Sequence, residues 1–302
     1  MGLAARFRAD LMQSVILGQA VAGVLVSLGS IASQALTPDP ILNGLVYFIC
    51  AAVWTGISQL TYWILVRTRF AHEMAVAAAE PNVLDEDDEP LLGDENDFPG
   101  YGGEDDDYDW TRPLQLRQSD LTEAPLLERL GAVFSEIKTE ALAIVICYIT
   151  TLSLFPSLTS LVVSTSTNDS WRKYFIPVAC FLVFNVGDAT GRLLSKWIRY
   201  PRSGKGLLAA VLVRILFIPL LFLCNVQPRY HTSTLFDSDA IFLILIASLA
   251  VSNGLIVSLA SMYGAERANA TIKELTGSVL SAVIAIGVLI GSLLSLLFVN
   301  LV

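Results

Sequence analysis

Charge is scarce in this chain. Of its 302 residues, 16% are Asp, Glu, Lys or Arg, against about 25% in an ordinary soluble domain. Histidine is rarer still: His72 and His231 each stand alone outside the apolar runs, so no nucleophile–base pair can be identified. There is no glycine-rich phosphate loop. The four cysteines, Cys50, Cys147, Cys180 and Cys224, all fall inside apolar runs, without the spacing of a metal site or a disulfide framework. They read as small apolar packing residues. These absences speak against an enzyme and leave no metal or cofactor to expect. A cleavable signal peptide is also missing: the start, "MGLAARFRADLMQSV", carries two arginines but leads into a full-length apolar run with no clear cleavage site. Gly2 lacks the Ser or Thr at position 6 that myristoylation requires.

Apolar residues are present in excess, at 54% of the chain. They are bunched into runs near the length a helix needs to cross about 30 Å of hydrocarbon. Seven such runs are legible: Ser14–Leu36, Leu42–Val66, Glu140–Val163, Tyr174–Ile198, Leu207–Val226, Ala240–Met262 and Gly277–Val299. None shows the alternation, in segments of about ten residues, of a transmembrane barrel. The expected fold is therefore an all-α multi-pass membrane protein with about seven transmembrane helices in a lipid bilayer. Its organisation reads as two spans in residues 1–67, an acidic loop in 68–137 and five spans in 138–302.

The net charge of −9 is concentrated in one place. Residues 68–140 hold 20 of the 28 acidic side chains. That composition cannot bury enough apolar surface to order itself, so a solvated, largely disordered loop is expected. Its acidity argues against nucleic-acid binding. Orientation follows Lys and Arg near the spans, not net charge. With the N-terminus cytoplasmic, fourteen basic residues fall on the cytoplasmic side. Three (Arg172, Lys173, Arg229) fall on the other, and Arg192 and Arg214 lie within spans. The expectation is a cytoplasmic N-terminus and acidic loop and a non-cytoplasmic C-terminus, opposite to a seven-helix receptor.

Against this background "FLVFNVGDATGRLLSKW", residues Phe181–Trp197, stands out. A charge at the bilayer centre costs about 2.5–3.5 kcal/mol on insertion scales. Asp188 lies about 21 Å into its span at the helical rise, and Arg192 is one turn further on. Asn185, Asp188 and Arg192 follow i, i+3, i+7 spacing and share a helix face. Two readings stay open: an ion pair that locks neighbouring helices, or a polar patch lining a midplane cavity that hydrogen-bonds a polar solute. Gly187 and Gly191 form a small-xxx-small pair on an adjacent face, suited to close helix approach. Arg214 is within snorkelling reach of a span end. Pro156, in "LSLFPSL", and the "SNG" of Ser252–Gly254 each weaken a helix.

Several segments in order resemble the equilibrative nucleoside transporter family: "GQAVAG" (Gly18–Gly23), "GLVYFI" (Gly44–Ile49), "SLFPSLTSLV" (Ser153–Val162), "WRKYFIPVACFLVFNVGDATGR" (Trp171–Arg192), "RILFIPLLFLCN" (Arg214–Asn225) and "VSNGLIVSLA" (Val251–Ala260). The "FN…D…GR" pattern is the most specific. The resemblance implies an eleven-helix fold similar to the major facilitator superfamily, and facilitative transport of nucleosides, and often nucleobases, through a cavity between two helical halves. "GQAVAG" belongs to that family's fifth helix. The expectation is thus a partial fold lacking the first four helices, either a truncated form or a chain needing a partner that supplies them. The alternative is a non-transporting membrane subunit or regulator that pairs with a full-length relative.

The same resemblance implies roles residue by residue. Asp188 and Arg192 match a substrate-contacting pair, Asn185 and Phe181 match neighbouring recognition positions, and Phe155 and Pro156 match a position near the cavity. Gly18 and Gly23 match glycines important for helix packing. Within the acidic loop, "DDEPLL" matches an acidic dileucine signal through Asp87, Leu91 and Leu92. Such a signal binds a sorting adaptor and directs a protein to a vacuole or endosome, so the expected location is a vacuolar or endosomal membrane or the plasma membrane.

Overall fold

The computed structural model describes residues 9–36, 39–68, 126–229, 233–267 and 273–302. Asp87, Leu91 and Leu92, like both histidines, lie outside them. Among the described residues, seven helical segments are long and apolar enough to cross a membrane, close to the runs read from sequence. The chain divides into two compact units, a smaller one of residues 53–121 and a larger one of residues 1–52 and 122–302.

The helices are α1 (Ala9–Leu36), α2 (Pro40–Val66), α3 (Leu126–Leu154), α4 (Asp169–Phe175), α5 (Val183–Leu194), α6 (Gly204–Arg214), α7 (Phe217–Phe222), α8 (Asp239–Arg267) and α9 (Lys273–Leu301). The larger unit is built on a few pairings: α3 against α9, α5 against α8, α8 against α3, α1 against α5, and α6 against α3. Many large apolar side chains point outward, such as Leu28, Leu212, Val213, Ile244, Leu289 and Leu297. A bilayer satisfies such a surface, because lipid tails are as apolar as the side chains themselves.

Prolines set where the helices break. Pro156 lacks the N–H that would continue the ladder, and α3 ends at Leu154, beyond which a short 3₁₀ turn covers Thr159–Leu161. Turns carry the chain on from there. Pro177 falls in a stretch of wider, π-type turns, Ile176–Leu182, which joins α4 to α5 without a break. Pro219 lies in α7, set off from α6 by the turn at Ile215 and Leu216.

Two differences from the sequence reading have clear causes. Helix α3 starts at Leu126, well before the apolar run at Glu140. Its early turns are amphipathic: Val133, Ile137, Ala141 and Ile144 recur every three or four residues and are buried, while Phe134 is exposed. A hydropathy run cannot register such a stripe. Second, "SNG" does not interrupt its helix. Helix α8 runs unbroken from Asp239 to Arg267, with Asn253 and Gly254 buried inside it.

Gly254 permits a very close helix contact. A Cβ on Gly254 would strike the main-chain carbonyl of Asp188, and one on Gly191 the carbonyl of Val251. A Cβ on Gly187 would sit 2.8 Å from that of Ala250. Helices α5 and α8 thus touch backbone to backbone, as small residues allow within membranes. Helices α3 and α9 meet similarly at Gly287 and Gly291.

Candidate functional site

Helix α5 carries the polar face anticipated from its spacing. Asp188 and Arg192 are both buried, at 6% and 7% exposure. One helical turn apart, they pair directly: the Arg192 Nε donates to Asp188 Oδ2 at 2.7 Å. The guanidinium also donates through Nη1 to the Ile16 carbonyl of α1 at 3.2 Å and lies beside the Tyr148 side chain of α3. A planar fork can satisfy several acceptors at once.

The second oxygen of Asp188 is held from α8. Asn253 Nδ2 donates to Asp188 Oδ1 at 2.7 Å. The Asn253 carbonyl oxygen lies 2.9 Å from the Thr151 hydroxyl of α3 and 3.5 Å from the Cys147 thiol. Thr151 in turn accepts from Arg214 Nη2 at 2.8 Å. Arg214 also donates to the Leu249 carbonyl at 3.1 Å and through Nη1 to the Cys147 sulfur. Arg214, at the last residue of α6, is 2% exposed. It does not snorkel: three acceptors inside the bundle reward the inward rotamer. The buried polar cluster therefore joins α1, α3, α5, α6 and α8, and contains two guanidiniums to one carboxylate.

Asn185 turns toward α1. Its Nδ2 donates to Ser27 Oγ at 2.8 Å and to its own helix at the Phe181 carbonyl at 3.0 Å. Gly23 of α1 makes room for it, because a Cβ there would run into the Asn185 amide. At Gly18 a Cβ would meet no atom within 4 Å. Phe155 and Phe181 come together, with ring centroids 5.7 Å apart and edge to face. Phe184 joins them, stacked on Phe155 at 3.8 Å. Pro156 lies beside this trio at the end of α3. Along α5, then, an aromatic cluster precedes the charged pair by one to two turns.

Sequence reasoning missed Asn253, Thr151, Tyr148 and Phe184, and read Cys147 as packing alone. The available signal for Asn253 was its place as a lone amide inside a long apolar run. No group of His, Cys, Asp and Glu able to hold a metal occurs among the described residues. Chemically, the cluster offers a carboxylate whose two oxygens each already accept one donor, beside guanidinium N–H groups. Such a pair can accept from hydroxyls and donate to carbonyl oxygens.

Comparison with known proteins gives the family of the chain. The family model described as nucleoside transporter matches residues 1–300. Equilibrative nucleoside transporter 2 of Rattus norvegicus is 32% identical over 289 residues, covering 93% of this chain and 63% of that protein. Equilibrative nucleoside transporter 1 of Homo sapiens is 28% identical over 307 residues, covering 98% of this chain and 64% of that protein. Equilibrative nucleoside transporter 4 of Danio rerio is 25% identical over 306 residues. The chain thus spans somewhat less than two thirds of the length of these relatives.

Proposed function

Because the chain belongs to the nucleoside transporter family, we propose that it takes part in facilitative movement of nucleosides, and of nucleobases, across a membrane. The observation that carries this reading is the buried Asp188–Arg192 pair within a membrane-spanning segment. Ionisable groups in such places are costly and mark solute or ion paths. Ribose presents vicinal hydroxyls that a carboxylate accepts from, and a base presents carbonyl oxygens that a guanidinium donates to. The aromatic trio of Phe155, Phe181 and Phe184 supplies a flat apolar surface for the base one turn away. Helix α1 covers the pair through the Ile16 carbonyl, so solute reaches it when α1 and α5 part. Helices that the family resemblance places ahead of α1 would line the rest of the cavity, supplied from outside these 302 residues.

Labelled uridine and adenosine uptake in a transport-deficient cell tests the proposal. Saturable uptake is expected when the chain is expressed together with the first four helices of a full-length relative. No uptake under that condition would leave the non-transporting subunit as the better reading.

The charge bias supports a cytoplasmic N-terminus and acidic segment, which would leave Asp87, Leu91 and Leu92 available to a sorting adaptor for a vacuolar or endosomal membrane. Protease added to sealed right-side-out vesicles should leave residues 69–125 intact and cut them after permeabilisation. Cleavage in sealed vesicles would reverse the orientation.

A further inference from the structure

We propose that Asn253, oriented by Thr151 and Arg214, is a positioning residue that fixes the Asp188 carboxylate for solute. The functional half of the proposal rests on the transport reading above; the relay itself rests on geometry. A guanidinium can only donate. Arg214 Nη2 lies 2.8 Å from Thr151 Oγ1, so that oxygen accepts there. Its own proton has two acceptors at 2.9 Å, the Cys147 carbonyl of its own helix and Asn253 Oδ1. With its oxygen committed there, the Asn253 amide presents its NH₂ to Asp188 Oδ1 at 2.7 Å. A flipped amide would set oxygen against carboxylate, so the Asp188 end enforces one orientation. The Thr151 hydroxyl supports it when its proton turns to Asn253.

Arg192 closes the other side, donating to Asp188 Oδ2 at 2.7 Å. Donors thus converge on Asp188 from its own helix and, independently, from α8. Each oxygen keeps a lone pair for a solute hydroxyl, and the plane of the carboxylate is set by the two donors together. A structural role alone does not call for this expense. Arg214 and Asn253 are 2% and 3% exposed, and burying such groups among apolar helices is costly. The α5–α8 contact is already made by Gly187, Gly191 and Gly254.

Thr151→Val keeps the shape of the side chain and removes the hydroxyl; Thr151→Ser keeps the hydroxyl. The half-saturation constant is measured for uridine and for 2′,3′-dideoxyuridine, in the co-expression format described above. Thr151→Val should raise that for uridine about tenfold, the loss expected from one hydrogen bond to a charged group. It should change that for the dideoxy compound less than about twofold, with Thr151→Ser close to the unaltered chain for both. An equal fall in maximal rate for both compounds, with unchanged half-saturation, would reduce Thr151 to packing and overturn the proposal. Should Thr151→Val not accumulate, Thr151→Cys carries the same comparison, its thiol being a weak donor and acceptor of similar size.

A melting cycle of Thr151→Val and Asp188→Asn, alone and combined, decides the relay without any uptake. The two side chains communicate through Asn253, so their effects should be non-additive; additive shifts would refute the relay. Absence of uptake in the unaltered chain would instead count against the transport reading, with the melting cycle still deciding the relay.

Discussion

Uridine uptake should fall to background when Asp188→Asn and Arg192→Gln are combined in one chain, while the amount of protein in the membrane stays within about twofold of the unaltered chain. The reason lies in the charge balance of the buried cluster. Asp188, Arg192 and Arg214 together carry one excess positive charge. The double replacement removes one charge of each sign, so that excess is unchanged. Asp188→Asn alone is different: it leaves two guanidiniums buried with no carboxylate, a loss of about 3–5 kcal/mol by analogy with broken buried pairs. Reduced abundance is the expected result for that single variant, whatever its role in transport. Arg192→Lys should also impair uptake. One ammonium cannot reach both Asp188 and the Ile16 carbonyl as the fork does. Normal uptake by the double variant at normal abundance would show that the pair only fastens helices.

Gly191→Leu should leave little folded protein, whereas Gly18→Ala should leave the melting temperature unchanged or slightly raised. A Cβ on Gly191 meets the Val251 carbonyl and comes 2.8 Å from the Leu255 amide nitrogen. Those are main-chain atoms of α8 and cannot rotate aside. Overpacking in a core costs about 1–3 kcal/mol where side chains can adjust. Here the helices themselves must separate, so about 3 kcal/mol is the lower expectation. At Gly18 nothing lies within 4 Å, and Ala is the better helix former. Purification yield and thermal melting in detergent check both variants. Comparable losses at the two positions would show that the α5–α8 contact is looser than described.

How much of this was legible beforehand depended on the kind of signal. The spans were, because twenty apolar residues in a row have few other uses. Asp188 and Arg192 were, because a charge inside such a run is expensive enough to be conspicuous. The start of α3 was not: burial there is carried by a single stripe of Val133, Ile137, Ala141 and Ile144, within a stretch whose average is polar. Thr151 and Asn253 were hidden for another reason. A hydroxyl or an amide in a membrane helix can satisfy itself on its own backbone, as Thr190 does on Val186 at 2.7 Å. Thr151 does so too, on Cys147 at 2.9 Å, and only the packing of α3 against α8 shows that it also meets Asn253. Arg214 was misjudged because distance from a span end says nothing about whether three acceptors wait on the inner side.

The backbone contact between α5 and α8 bears on equilibrium as well as on stability. A facilitator has no energy source, so its cycle cannot favour one direction at equal solute concentrations. With Gly187, Gly191 and Gly254 interlocked, the donor from α8 and the carboxylate on α5 move as one unit. On the proposed transport reading, the same pairing of Asp188 with Asn253 would meet solute from either face of the membrane, and neither orientation would become a trap in which solute waits to be released. Loosening the seam, as in Gly191→Ala, is where the constants for entry and exit would first diverge.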